Sequence, residues 1–245
     1  MGAIRRLAGS VGSGWRELAI ILAALGAYNL VRALPWVTIA RGIRNGERIA
    51  ALQRRLGIDV EQRAQDFVLR HRLGMPLWNV VYLGSQIVVM PMTLALVHRY
   101  RHDAWPSVRN LALIAWSGGL AWYAAQPTAP PRMVSETAVD TVSETLLDLD
   151  SWFVRMTYNP VAAMPSMHVG MSSLAAFSLI RVCRSRWTTV LGVLYPAVVT
   201  VAVVVTGNHY VLDVVGGVAI AVPAYFVAKW VTPNWAGRAA PAIFD

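Results

Sequence analysis

His209 and Asp213 stand four residues apart, a spacing that places two side chains on one face of a helix. A carboxylate beside an imidazole can accept the proton of one ring nitrogen. That fixes the tautomer and leaves the other nitrogen free to attack an electrophile. Asp213 also lies one turn into an apolar stretch, where an ionised carboxylate costs ~2.5–3.5 kcal/mol on insertion scales. It needs a partner, and His209 is the nearest one. A paired polar cap that only stabilises the helix end satisfies the same spacing.

His168 follows Pro165-Ser166. Proline suits the first position of a helix, and a serine hydroxyl there meets backbone amides that have no partner within the helix. Such a helix start attracts phosphate, and a histidine beside it can give a proton to a departing oxygen. Most histidines near helix starts are only hydrogen-bonded structural residues. Arg132 follows two prolines, and its planar guanidinium can hold two phosphate oxygens at once. Its plainer reading is an interfacial arginine that meets lipid headgroups in general.

These residues fall in three separate segments: Gln126 to Arg132, Ala163 to His168, and Thr206 to Asp213. The elements that must carry them are apolar. The chain has 245 residues, of which 56% are hydrophobic and 14% charged, and its mean hydropathy is +0.47. A soluble domain has about 25% charged residues, so the composition favours a membrane protein. Six stretches approach the ~20 apolar residues of a spanning helix: Glu17 to Ala40, Met75 to Val97, Asn110 to Ala125, Val161 to Ile180, Trp187 to Thr206 and Tyr210 to Val231. The expected fold is all-α, a single six-transmembrane-helix bundle over 1–245. The first stretch is read as a retained anchor rather than a cleaved signal peptide, because its apolar run continues past any small-residue cleavage site.

Arginines in the short loops, Arg99, Arg101 and Arg109, then Arg181, Arg184 and Arg186, sit with Arg5, Arg6 and Arg16 on one side. The positive-inside rule makes that side cytoplasmic. All three polar segments then lie together on the extracytoplasmic side, as does the acidic loop carrying Asp140. The segment 41–74 conflicts with this orientation, since it holds eight arginines on the outer side. Ile49, Leu52 and Leu56 recur in it at helical spacing, Gly57 ends that run, and Asp59 with Gln62 resembles a helix start. Two short amphipathic helices on the membrane surface are expected, with a solvated helical hairpin as the alternative.

The pattern Pro-Ser-x-His followed by His-x-x-x-Asp, with an upstream arginine, resembles the type-2 phosphatidic acid phosphatase superfamily. Pro-Thr-Ala-Pro-Pro-Arg, Met-Pro-Ser-Met-His and Gly-Asn-His-Tyr-Val-Leu-Asp look most like its inositol phosphorylceramide synthase branch. The resemblance covers about residues 120–220 by motif. It implies a lipid phosphatase or phosphotransferase in which His209 attacks phosphorus to form a phosphohistidine and Asp213 orients the ring. His168 would protonate the departing alcohol and then activate the incoming water or alcohol. Arg132, Ser166 and Asn208 would hold the phosphoryl group, and no metal or other cofactor is required. The chain departs from the family pattern where two phosphate-binding cations usually stand. Ala125 occupies the place of a lysine, and Ala202-Val203 that of a serine-arginine pair.

The implied partners are a membrane lipid (a phospholipid, a sphingolipid-like lipid or a polyprenyl phosphate) and an acceptor that is water or an alcohol such as inositol. The rival reading is a non-catalytic transporter or scaffold that retains the fold, since ionisable residues within a membrane also mark ion paths. His168, His209 and Asp213 as zinc or iron ligands rank lower, because the arginine and the helix start favour an anion. Nucleic acid is not expected, since the arginines lie between apolar runs and not on one polar module. Of the 22 basic residues only Lys229 is a lysine, and Cys183 is the single cysteine. The arginine bias points to a bacterial plasma membrane.

Overall fold

The computed structural model describes residues 2–71, 74–145 and 158–232. Ten helices run through them: α1 Gly2–Arg32, α2 Ile39–Leu56, α3 Glu61–Leu69, α4 Gly74–Tyr100, α5 Trp105–Ala125, α6 Pro131–Val134, α7 Thr141–Thr145, α8 Met167–Cys183, α9 Arg186–Val205 and α10 Val211–Val231. Among the described residues the only β-type pairing is an isolated parallel bridge between Thr128 and Ala162. Among the described residues three helices, α4, α9 and α10, are long and apolar enough to cross a membrane.

Several helix boundaries differ from the expectation for local reasons. α1 ends at Arg32, because Pro35 disfavours helical backbone in the residue before it. α5 begins five residues early: Pro106 suits its first turn, and Arg109, expected to mark its start, is paired with Glu17 at 2.7 Å. α8 begins at Met167 and not at Val161, because Val161 and Ala163 are hydrogen-bonded to Thr128 and Ser166 caps the helix. α4 contains a π turn at Ser85–Val89, where the Met90 amide reaches back to the Ser85 carbonyl. Met90 separates the turn from Pro91, which has no amide hydrogen to continue an α ladder.

The bundle core is rich in alanine. Ala112, Ala115, Ala175, Ala221, Ala224 and Ala228 are buried together with Leu111, Met171 and Leu174, so α5, α8 and α10 approach closely. The tightest approach is between α8 and α10. A Cβ on Gly217 would lie 2.3 Å from the Ser166 carbonyl oxygen and 3.1 Å from the Gly170 nitrogen. Only glycine permits that crossing, and it brings the start of α8 against the first turns of α10. The outward faces of α4, α9 and α10 are apolar instead, with Leu77, Ile87, Leu191, Val193, Val222, Phe226 and Trp230 exposed.

The segment expected on a membrane surface forms two helices that break at Gly57, but the second differs in its start. Its N-cap is Val60, with no side-chain cap, and no Asp59–Gln62 box forms. α2 turns Gly42, Asn45, Gly46 and Gln53 inward and leaves Leu52 and Leu56 exposed. The inward face is therefore small and polar, because it packs against backbone. Asn45 donates to the Pro127 carbonyl at 2.8 Å, and the Ala129 amide donates to the Gly42 carbonyl at 2.9 Å.

Candidate active site

The three polar segments meet at one end of the bundle and are joined by their own backbones. The Thr128 amide donates to the Val161 carbonyl at 2.7 Å, and the Ala163 amide to the Thr128 carbonyl at 3.0 Å. The Arg132 amide donates to the Gly207 carbonyl at 3.2 Å, and the Ser166 amide to the Asp213 carbonyl at 2.9 Å. Each segment is thus bonded to the other two. Gly207, at φ +68°, makes the left-handed turn between α9 and α10 that delivers Asn208 and His209.

His209 is buried, and its Nδ1 lies 2.8 Å from the Ala163 carbonyl oxygen and 3.3 Å from Asp213 Oδ2. A carbonyl oxygen only accepts, so Nδ1 carries the proton and Nε2 of the neutral ring keeps its lone pair. From the sequence, Asp213 is the expected acceptor of this proton. The shorter contact is to Ala163, and Asp213 Oδ2 also accepts the Tyr210 amide at 2.8 Å. Asp213 Oδ1 is buried without a hydrogen-bond partner. Burial holds the His209 imidazole below the ordinary histidine value, at about 3. The Ala163 carbonyl opposes that shift and the Arg132 charge adds to it.

His168 stands in the first turn of α8. Its ring is 5.5 Å from the His209 ring, centroid to centroid and nearly edge-on, and it stacks on Tyr82 of α4 at 4.3 Å. Ser166 is fully buried, and its hydroxyl oxygen accepts the Val169 amide at 3.5 Å. That accepting role leaves the hydroxyl hydrogen able to donate. Tyr123 donates to the Pro165 carbonyl at 2.9 Å and steadies the loop that precedes the serine.

The Arg132 side chain is only 3% exposed. Its Nε lies 3.1 Å from Asp140 Oδ2, a close ion pair that is not aligned as a hydrogen bond. Its Nη1 donates to Asn208 Oδ1 and its Nη2 to the Tyr158 hydroxyl. Burial works against the guanidinium charge, but Tyr158, Asp140 and Tyr82 outweigh it and hold the pKa above the usual arginine value. Asn208 is turned toward Arg132 by its amide, which donates to the Thr206 hydroxyl at 2.9 Å. In this arrangement Asn208 positions the arginine.

The structure brings together all six residues singled out from the sequence and adds several that were not. Tyr82, Tyr158 and Asp140 come from elements with no motif of their own. Ala163 contributes only a backbone carbonyl, which no side-chain pattern reveals. The start of α10 is capped from the α2–α3 segment: Glu61 Oε1 accepts the Val211 amide at 2.8 Å, and Gln53 Oε1 accepts the Leu212 amide at 2.9 Å. Gln53 in turn donates to Glu61 at 2.7 Å. Nothing in the sequence marks Gln53 and Glu61 as partners, because they lie on two helices separated by the break at Gly57.

The fold and this grouping define a class, a helical bundle with two histidines, a carboxylate and a buried arginine at one end. A family model described as the PAP2 superfamily matches residues 47–227. The chain belongs to that superfamily, and this membership supports a phosphatase-type enzyme acting on a lipid phosphate. No curated protein and no solved structure matches the chain.

Proposed function

We propose that this chain is a six-span integral membrane enzyme that cleaves or transfers a lipid phosphate group through a phosphohistidine on His209. The observation that carries the reading is the pairing of a His209 Nε2 left free by the Ala163 carbonyl with a second imidazole 5.5 Å away. In the first half-reaction the Nε2 lone pair forms a bond to phosphorus and the bond from phosphorus to the departing oxygen breaks. His168 supplies the proton that oxygen takes up. In the second, water or an alcohol attacks phosphorus and passes its proton to His168 as the phosphorus–nitrogen bond breaks. Asp213 orients the His209 ring. Arg132, held by Asn208, and the Ser166 hydroxyl stabilise the five-coordinate phosphoryl group.

Membrane integration is supported by the three long apolar helices and by the apolar outer faces of α4, α9 and α10. α1, α5 and α8 are the further spans of this reading, and the loop arginines put the N-terminus in the cytoplasm and the site on the far side. The α2–α3 segment lies at the interface. Leu52, Leu56, Val60 and Phe67 are exposed there beside Arg55 and Arg63. The Ala125 and Ala202-Val203 departures favour the inositolphosphotransferase-like branch, with an alcohol such as inositol as acceptor.

The test is to incubate the purified full chain with phosphorus-labelled lipids, with and without free inositol, and to quench during turnover. A base-stable, acid-labile label on the protein that disappears in His209→Ala is the expected result. Unchanged turnover by His209→Ala would end the proposal. Transfer of label to inositol separates the transferase from a hydrolase, which releases the label to water as free phosphate or as a phosphomonoester.

A further inference from the structure

Arg132 is held on three sides, yet it keeps capacity for a ligand. A guanidinium has five N–H groups. Asp140 faces Nε, while Asn208 and Tyr158 each take one hydrogen from the two Nη nitrogens. One N–H on each Nη remains, a pair suited to two oxygens of one phosphorus. Phosphate can therefore dock while Asp140 stays in place.

Asp140 is built in, not left there by a loose loop. The residue before it, Val139, is clamped by Gln65, whose Nε2 donates to the Val139 carbonyl at 3.0 Å and whose Oε1 accepts the Val139 amide at 2.9 Å. The residue after it, Thr141, is clamped by Asn79, which donates to its carbonyl at 2.7 Å and accepts its hydroxyl at 2.9 Å. Ser143 donates to the Asp140 carboxylate through its hydroxyl at 3.0 Å and its amide at 3.3 Å. The carboxylate is thereby aimed at the arginine.

The charge balance follows. Among the described residues Arg132 is the cation that meets the Asn208–His209 turn, and Asp140 neutralises it. The Arg32 guanidinium also approaches this region, but its Nη1 donates to the Tyr158 backbone carbonyl at 3.4 Å. Asp213 adds a carboxylate, which the proton carried by His168 offsets. Such a site compensates poorly for two negative charges on one phosphorus, whereas a diester spreads a single charge over two free oxygens.

We infer that Asp140 sets the substrate class of this site, making it select a singly charged phosphodiester over a doubly charged phosphomonoester. This rests on the phosphoryl chemistry proposed above and narrows it: the leaving group is an alcohol of a diester, and the group transferred is itself a phosphate ester.

The experiment compares phosphatidylinositol with phosphatidic acid of the same acyl chains, in mixed micelles at about pH 8, above the phosphomonoester second ionisation near ~6. The wild-type chain should turn over the diester in preference. Asp140→Asn keeps the Ser143 contact and removes the charge, so it should move the kcat/KM ratio toward the monoester by about tenfold or more. Arg32→Gln should leave that ratio unchanged. A wild-type preference for phosphatidic acid, a ratio unmoved by Asp140→Asn, or a monoester-selective loss in Arg32→Gln would each overturn the inference.

Binding gives a readout independent of turnover. Thermal stabilisation of the full chain by dimethyl phosphate should exceed that by methyl phosphate, and Asp140→Asn should gain affinity for methyl phosphate. A difference between the two ligands that is the same in wild type and variant overturns the inference. Activity that survives His209→Ala overturns the phosphohistidine reading instead, so the two failures are distinguishable.

Discussion

The two ends of the bundle both bury polar groups, but they treat them differently. At the end of α8 and the start of α5, Arg101 pairs with Asp103 at 3.0 Å and donates to the Val182 carbonyl. Arg109 pairs with Glu17, and Asn110 donates to the Thr232 hydroxyl at 2.9 Å. These groups close helix ends and neutralise one another. At the opposite end, Asp213 Oδ1 has no partner, His209 keeps a free Nε2, and Arg132 retains two N–H groups. What sets the candidate site apart is unspent hydrogen-bonding capacity held in place, not the presence of charge.

That contrast can be broken or sharpened by substitution. His209→Ala should lower lipid phosphate turnover at least about ten-thousand-fold, as loss of an attacking nucleophile does elsewhere. Phosphate or headgroup release reads it. Gly217→Ala would push a methyl group into the Ser166 carbonyl and separate α8 from α10. It should cost about 1–3 kcal/mol of stability by overpacking, with a larger loss of activity than of folded protein. Melting in detergent, compared with turnover per folded molecule, tests this.

Gln53→Ala would strip partners from the Leu212 amide and from Glu61, costing about 1–3 kcal/mol. Denaturation should show that loss, with a smaller fall in activity. At the other end, Arg101→Gln should cost about 1–2 kcal/mol, because it uncovers a helix-end carbonyl. Turnover there should stay within about twofold, the effect of a substitution remote from the chemistry. A large activity loss in Arg101→Gln with stability intact would erase the distinction between the ends.

Much of the site was legible because its chemistry depends on side-chain type at short range. His209 and Asp213 share a face by helical spacing, and Ser166 and His168 sit at a helix start that a proline announces. The α2–α3 segment was less legible. Its apolar residues Ile49, Leu52 and Leu56 drew the eye to one face, while the face that docks is lined by Gly42, Asn45, Gly46 and Gln53. Docking against backbone needs small residues and amides, which carry no hydropathy signal. Asp140 and Tyr158 were not separable from any other loop residue until the fold set them on Arg132.

The order of residues alone determined the apolar segments, the residues of the candidate site and the family, since these depend on composition and on contacts within one turn of helix. Only the tertiary structure decided which acceptor holds the His209 proton, which carboxylate neutralises Arg132, and which carboxamide caps the helix of Asp213. Those partners lie 46, 8 and 159 residues away along the chain or belong to the backbone. Contacts of that kind are fixed by how helices cross, and the crossing rests on close packing that no local pattern records.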